Sequence, residues 1–265
     1  MVAITDQEFA QFQKFIFESA GITLSPAKKA LVSGRLARRL DLSNSSSYGD
    51  YFRLLSSGRV PQEVQMAIDL LTTNETYFFR EPKHFDFLRR QVAQFPISQS
   101  LRIWSAAGST GEEAYSIAMM LEDLRGGHPW DVMASDISAR VLQRARAGHY
   151  PMERARHVPQ DYLRRFCLKG EGEHEGTLLV EKGLRNRVKF LQVNLNESLP
   201  NIGTFDIVFL RNVLIYFNGE TKRKVVARVL STLQPGGWLL IGHSESLHGV
   251  SETVQAVAPS IYRKP

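Results

Sequence analysis

Two acids and a run of small residues near the middle of the chain are chemically suggestive. In WSAAGSTGEEAYS, the small residues Ala106, Ala107, Gly108, Ser109 and Gly111 run up to Glu112 and Glu113. Small side chains at a strand-to-helix turn let a ligand lie against the backbone. The next apolar run ends in ASD, which puts Asp136 at the carboxyl edge of a sheet beside that turn. An acid there accepts hydrogen bonds from ribose hydroxyls. Glycines in such a turn also serve helix–sheet packing, so each signal is weak alone. Together they point to a nucleoside-bearing cofactor.

A dinucleotide would need its pyrophosphate against a helix N-terminus. Here the helix begins with two glutamates, which repel a pyrophosphate but suit the ammonium of an amino-acid moiety. That chemistry points to S-adenosylmethionine. Asn194 and Leu195, after a third apolar run, offer an amide and an apolar side chain to an adenine. Arg211 and Asn212 end a fourth run and would line the same site, although an asparagine at a strand end also serves as a turn cap.

These residues need a frame. LRIWSA, WDVMASD, VKFLQVNL, FDIVFLRN and GWLLIGHS read as strands, with amphipathic helices at residues 112–124, 138–147 and 219–233. Alternation of this kind predicts an α/β domain with a doubly wound, Rossmann-like parallel sheet over 101–265. AVAPSIYR, from Ala256 to Arg263, is expected to add one final strand, confined by Pro259 to an edge or a bulge. Residues 150–187, with KGEGEHEG and TLLVEKG, break the alternation and read as an inserted β-subdomain.

Residues 1–72 read as an all-helical N-terminal domain. Thr5 and Glu8 have capping-box spacing, and Phe9, Phe12 and Ile16 recur at helical intervals before a C-capping Gly21. Ser25 and Pro26 open a second helix. It carries Lys28, Lys29, Arg35, Arg38 and Arg39 with no acid among them, and Lys28, Arg35 and Arg39 fall near one azimuth. The stripe suits an anionic partner, with a solvated helix face as the competing reading. Two more short helices are expected at 51–55 and 61–71. Residues 73–100 form a linker rich in TTNETYFFREPKHF.

The 265 residues, 43% hydrophobic and 23% charged, suffice for one sizeable α/β core and a smaller appendage. The single cysteine, Cys167, allows no intrachain disulfide, and the scattered histidines lack the spacing of a zinc face, so no metal is expected. Neither a signal-like N-terminus nor an apolar run of about 18 residues is present, so a cytoplasmic protein without membrane insertion is expected. The net charge of +6 suits nucleic acid, an anionic membrane or an acidic protein equally.

LTTNETYFFREPKHF, WSAAGSTGEEAYSIA, ASDIS, VNL, FLRNVLIYF and GWLLIGHSES, in this order and over nearly the whole chain, resemble the bacterial chemotaxis receptor methyltransferases, the CheR family. The resemblance implies transfer of a methyl group from S-adenosylmethionine to glutamate carboxylates on the cytoplasmic domains of chemoreceptors, with S-adenosylhomocysteine as product. It further implies that Asn74, Thr76 and Arg80 reach over the cofactor and that Arg80 and Tyr216 stand near the transferred methyl. Tyr216 has a compatible second role as an aromatic cover, and His243 is expected to be structural. Glu113 rather than Glu112 is the expected partner of the amino-acid end, although spacing leaves both open. Lys28, Arg35, Arg38 and Arg39 would meet acidic receptor helices, and the inserted β-subdomain is a candidate site for a receptor C-terminal peptide. The competing readings are an RNA or DNA methyltransferase, for which no recognisable nucleic-acid-binding module is present, and a cofactor-sensing adaptor without turnover.

Overall fold

The computed structural model describes residues 3–265. Helix α1 (Asp6–Ala20) starts at the expected capping box: the Thr5 hydroxyl accepts the Glu8 amide at 3.2 Å, and the Glu8 carboxylate accepts the Thr5 amide at 2.8 Å. Gly21 ends it with a left-handed φ of 72°. Residues 26–28 make a single 3₁₀ turn before α2 (Lys29–Leu42). Next come α3 (Tyr48–Ser56), extended beyond the expected 51–55 by the Ser47 cap, and α4 (Pro61–Leu71), which opens on its proline as expected. Phe12 centres this domain, its ring 5.9–6.3 Å from those of Tyr48, Tyr51 and Phe52.

The linker is only partly irregular. Its second half is a 13-residue helix, α5 (Pro82–Gln94), which the expectation of a plain linker missed. Phe85, Leu88 and Val92 carry its buried stripe, and Pro82 sits at its first turn, but Glu81 is a poor cap, so the usual start signal is absent.

The sheet then begins with β1 (Leu101–Ser105), α6 (Glu112–Arg125), β2 (Trp130–Asp136) and α7 (Ala139–Ala147). The insertion follows as β3 (His149–Pro151), α8 (Gln160–Phe166), β4 (Cys167–Lys169) and β5 (Thr177–Val180), forming an antiparallel sheet in the order β3-β5-β4. It holds a helix as well as strands. After α9 (Lys182–Arg185), the main sheet resumes with β6 (Val188–Gln192), β7 (Phe205–Leu210), α10 (Gly219–Ser231) and β8 (Leu233–Ile241). The final segment is a hairpin, not the single strand expected: β9 (Gln255–Ala258) and β10 (Ile261–Arg263) pair antiparallel across Pro259 and Ser260. Ser260 has a φ of 62°, so proline and a left-handed residue together turn the chain.

The main sheet has the order β6-β2-β1-β7-β8-β10-β9, parallel through β8 and antiparallel for the last pair. Strand order reverses between β1 and β7, and the crevice at that reversal is where a doubly wound sheet receives its ligand. One face of the sheet shares a single apolar cluster with the helical domain, from Phe12 and Leu36 to Val208 and Leu239. The other face packs on α5, α6 and the insertion.

The two domains are also joined by a buried acid that no sequence motif singled out. Asp69, on the last turn of α4, accepts the Ala139 amide at 3.0 Å and the Arg140 amide at 3.2 Å, so it caps α7 of the other domain. Arg140 returns a bond to the Asp69 carbonyl at 3.1 Å. A carboxylate is favoured at a helix N-terminus by the unpaired amides and the dipole. Asp69→Ala is expected to lower stability by about 1–2 kcal/mol, read as a fall in the urea midpoint with the far-ultraviolet dichroism of the folded state preserved.

Candidate active site

The carboxyl ends of β1, β2, β6 and β7 open into a cleft partly exposed to solvent. Asn74, Thr76, Arg80, Glu113, Asp136, Asn194, Leu195, Arg211, Asn212 and Tyr216 all line it. The floor is the small-residue turn after β1. Gly111 holds a φ of 93° there, and a Cβ on it would meet Ala145 Cβ at 2.9 Å, so only glycine fits. The helical domain closes the far wall through Ala20, Ile22, Thr72 and Thr73.

Asp136 is buried, with one carboxylate oxygen accepting the Ser109 amide at 3.0 Å and the other the Ser138 amide at 2.9 Å. Burial outweighs these bonds, and with the Asp69 charge adding to it the carboxyl is pushed up to about 6. Two lone pairs remain to accept further hydroxyls.

The two glutamates of the turn part company. Glu112 is fully buried beneath Arg154 (3.2 Å) and Thr110 (2.6 Å), and burial raises its pKa. It does not line the cleft. Glu113 does, with Ser105 donating to one oxygen at 2.7 Å and Arg211 to the other at 2.6 Å. Arg211 is itself buried and also donates to the Arg80 carbonyl at 2.5 Å and to Glu81 at 2.9 Å. Sequence placed Arg211 in the lining, where it lies, but named no partner for its charge. Its charge is engaged between Glu81 and Glu113, because a buried guanidinium needs carboxylate partners. Glu113 is thus the carboxylate of this cluster that faces the cleft, while Glu81 lies behind Arg211.

The asparagines also do more than was expected of them. Both amide hydrogens of Asn194 are used, on the Ser19 carbonyl (2.7 Å) and Glu197 (2.9 Å), and its oxygen accepts the Asn196 amide (3.0 Å). The side-chain amide expected to face an adenine therefore ties the cleft to α1, while Leu195 keeps its apolar contact with the cavity. Asn212, at a φ of 56°, donates to Glu81 at 3.2 Å. Asn74 donates to Thr72 at 3.2 Å, and the Thr76 carbonyl accepts Arg154 at 2.6 Å.

Arg80 folds back to donate to the Glu75 carbonyl at 2.7 Å, its guanidinium 5.9 Å from the Tyr77 ring centre. Burial raises the Tyr216 pKa, with Arg80 and then Arg35 pulling the other way, so the phenol stays protonated and can donate. Glu245, passed over inside GHSES, holds this loop by accepting the amides of Gly242 (2.6 Å), Asn212 (2.8 Å) and Ile215 (3.2 Å). Three backbone amides converging on one acid leave no periodic trace in a sequence.

The basic stripe needs correction. Arg39 donates to Glu63 of α4 at 2.8 Å, and Arg35 donates to the Leu71 and Thr72 carbonyls at 3.2 and 2.9 Å. Helical spacing turns both toward α4, whose acid and C-terminal carbonyls need cations. Lys28 and Arg38 are exposed and make no hydrogen bond or ion pair with their side chains among the described residues. His84 is buried beside Glu81, 3.4 Å from it, and burial drives its pKa down to about 3. With His243 these two residues could reach one metal ion, but Arg211 already supplies the cation on the same Glu81 oxygen.

Comparison with known proteins agrees with this geometry. Residues 7–72 match the model of the CheR methyltransferase all-alpha domain, and residues 74–262 match that of the CheR methyltransferase SAM binding domain. The chain is 41% identical to chemotaxis protein methyltransferase 2 of Pseudomonas aeruginosa, across 97% of this chain and 93% of that one. It is 39% identical to the chemotaxis protein methyltransferase of Escherichia coli, across 98% and 92%. With a helical domain, a ligand crevice at the strand reversal and these relatives over nearly its full length, the chain belongs to the CheR methyltransferase family.

Proposed function

We propose that this protein methylates glutamate side chains of chemoreceptors, using S-adenosylmethionine and forming methyl esters. The observation that carries the reading is that Arg80 and Tyr216, two groups able to hold a carboxylate, line the same cleft as the Asp136–Glu113 frame. S-adenosylmethionine supplies an activated methyl group on a sulfonium. Asp136 holds the ribose, Glu113 the ammonium, Leu195 packs the adenine, and Asn74 and Thr76 cover the cofactor. Asn194, Arg211 and Asn212 brace that frame. A substrate glutamate is already ionised at pH 7, so a strong general base is not required. The task is to align the carboxylate and strip its water without neutralising it. Arg80 orients the carboxylate, and the Tyr216 hydroxyl donates to it.

Docking divides between two surfaces. Lys28, in the turn before α2, and Arg38, on the exposed side of α2, meet acidic receptor helices, a weak, salt-sensitive contact. Arg35 and Arg39 act beneath it by fixing α2 to α4. On the insertion, β4 forms a sheet edge with Leu168 exposed, beside a groove that includes His149, Lys169 and Leu179. A receptor C-terminal peptide adds to that edge as an extra strand. The cytoplasm, where receptor signalling domains lie, is the site of action.

Incubation with methyl-labelled cofactor and receptor cytoplasmic fragments is expected to give label released as methanol by base, and lost in glutamate-to-alanine receptors. Arg80→Ala should lower kcat by about 10–100-fold and Tyr216→Phe by about tenfold or less, with cofactor affinity little changed. Base-stable label on nucleic acid instead would sink the assignment. Combining Lys28→Glu with Arg38→Glu should raise receptor KM several-fold at low salt and much less at high salt, while removal of the receptor tail should weaken binding independently.

Asp136 also sets a pH dependence. Its folded pKa is raised, so below about pH 6 it is protonated and has lost an acceptor. Ribose hydroxyls favour the ionised form, so S-adenosylhomocysteine affinity should weaken as pH falls through 6, with proton release on binding. Calorimetry across pH 5–8 in buffers of different ionisation enthalpy measures both, and Asp136→Asn should bind weakly without that pH step.

A further inference from the structure

Arg80 sits between two residues with unfavourable backbones. Phe79 has a φ of 56° and Glu81 a φ of 58°, both left-handed. For a bulky aromatic and a glutamate this conformation is unfavourable, because the Cβ crowds the backbone. Surrounding contacts must hold the double kink in place. The Phe79 amide donates to the Ser116 hydroxyl at 2.9 Å, and its ring lies 4.9 Å from Phe85 and 6.0 Å from Tyr162. On the other side the Glu81 carboxylate gathers three groups: Arg211 at 2.9 Å, the Asn212 amide at 3.2 Å and the backbone amide of His243 at 3.2 Å. Arg211 also grips the Arg80 carbonyl at 2.5 Å.

Glu81 is a local misfit that only this clamp explains. It occupies the N-cap position of α5, where Ser, Asp or Asn would serve the helix, and its side chain makes no capping bond. Its φ would suit glycine. Neither the helix nor the turn selects a glutamate here, whereas the ends of β7 and β8 do.

We propose that Glu81 is a positioning residue: by pinning the kink to Arg211, Asn212 and the loop after β8, it fixes the guanidinium of Arg80 over the cleft before substrate arrives. The inference rests on Arg80 orienting the substrate carboxylate. Such positioning raises kcat, because a loose guanidinium must be ordered anew in each turnover.

Two variants probe it from opposite sides. Glu81→Gln keeps the shape and removes the negative charge that faces Arg211, whereas Glu81→Gly relieves the left-handed backbone and removes the clamp. Each is compared with Arg80→Ala and with both Arg80→Ala double variants, measuring methyl-ester kcat, receptor KM and S-adenosylhomocysteine affinity. Expected is a kcat loss of about tenfold or more in both single variants, with KM and cofactor affinity within about threefold, and a further loss under about twofold once Arg80 is already alanine. The full loss reappearing in the Arg80→Ala background, or losses tracking cofactor affinity, would mark Glu81 as a general structural residue and overturn the proposal. Wild-type turnover in the Glu81 variants with Arg80→Ala impaired would overturn it while leaving Arg80's role standing. Wild-type turnover in Arg80→Ala would remove both.

Discussion

The guanidinium of Arg211 lies buried between Glu81 and Glu113, and much of the cleft follows from where those charges can sit. Removing one carboxylate leaves the guanidinium its other partner, whereas removing Arg211 strips both acids, so the arginine is the member on which the other two depend. Arg211 follows β7, Glu113 lies in the first turn of α6 and Glu81 precedes α5. One side chain therefore registers a strand end, a helix start and the linker against each other. The small residues after β1 can leave room for a ligand because the surrounding elements are held by their apolar faces and, at the cleft, by this charge cluster.

The helical domain completes that arrangement. The Thr23 amide donates to the Tyr216 carbonyl at 2.8 Å, and Ile22 forms an isolated antiparallel bridge with Phe217. Asn194 reaches Ser19, and Asp69 caps α7. These contacts sit on top of a continuous apolar cluster. The far wall of the cleft is consequently built by residues that lie early in the chain, and Tyr216 is braced from a domain other than its own.

Local rules made much of this legible. The Thr5–Glu8 capping box, the proline start of α4 and the parallel strands ending at Ser105, Asp136 and Leu210 all follow from spacing and residue type. Glu113, Asp136, Asn194, Leu195, Arg211 and Asn212 were legible because a doubly wound sheet brings strand ends together whatever the loops do, whereas Asn74, Thr76, Arg80 and Tyr216 came only from the family resemblance. What escaped notice was tertiary. Asp69 resembles any polar residue late in a helix, yet it caps a helix elsewhere in the chain. Glu245 and Glu81 act on amides and cations far away in sequence. Arg35 and Arg39 fit an anion-binding stripe by periodicity, but a helix wheel cannot see that α4 presents Glu63 and its own carbonyls to them. Helix α5 lost its start signal because the residue before Pro82 is used for something other than capping.

The insertion leaves and rejoins the main fold at nearly one point: the Val180 amide donates to the Gly148 carbonyl at 2.9 Å. Its base is anchored, with Tyr150 packed edge-on against Phe78 at 5.0 Å. The tip between Lys169 and Thr177 is exposed, and adding residues to a loop whose ends already meet costs little chain entropy. The tip can therefore be lengthened, shortened or exchanged without disturbing the strand ends that build the cleft.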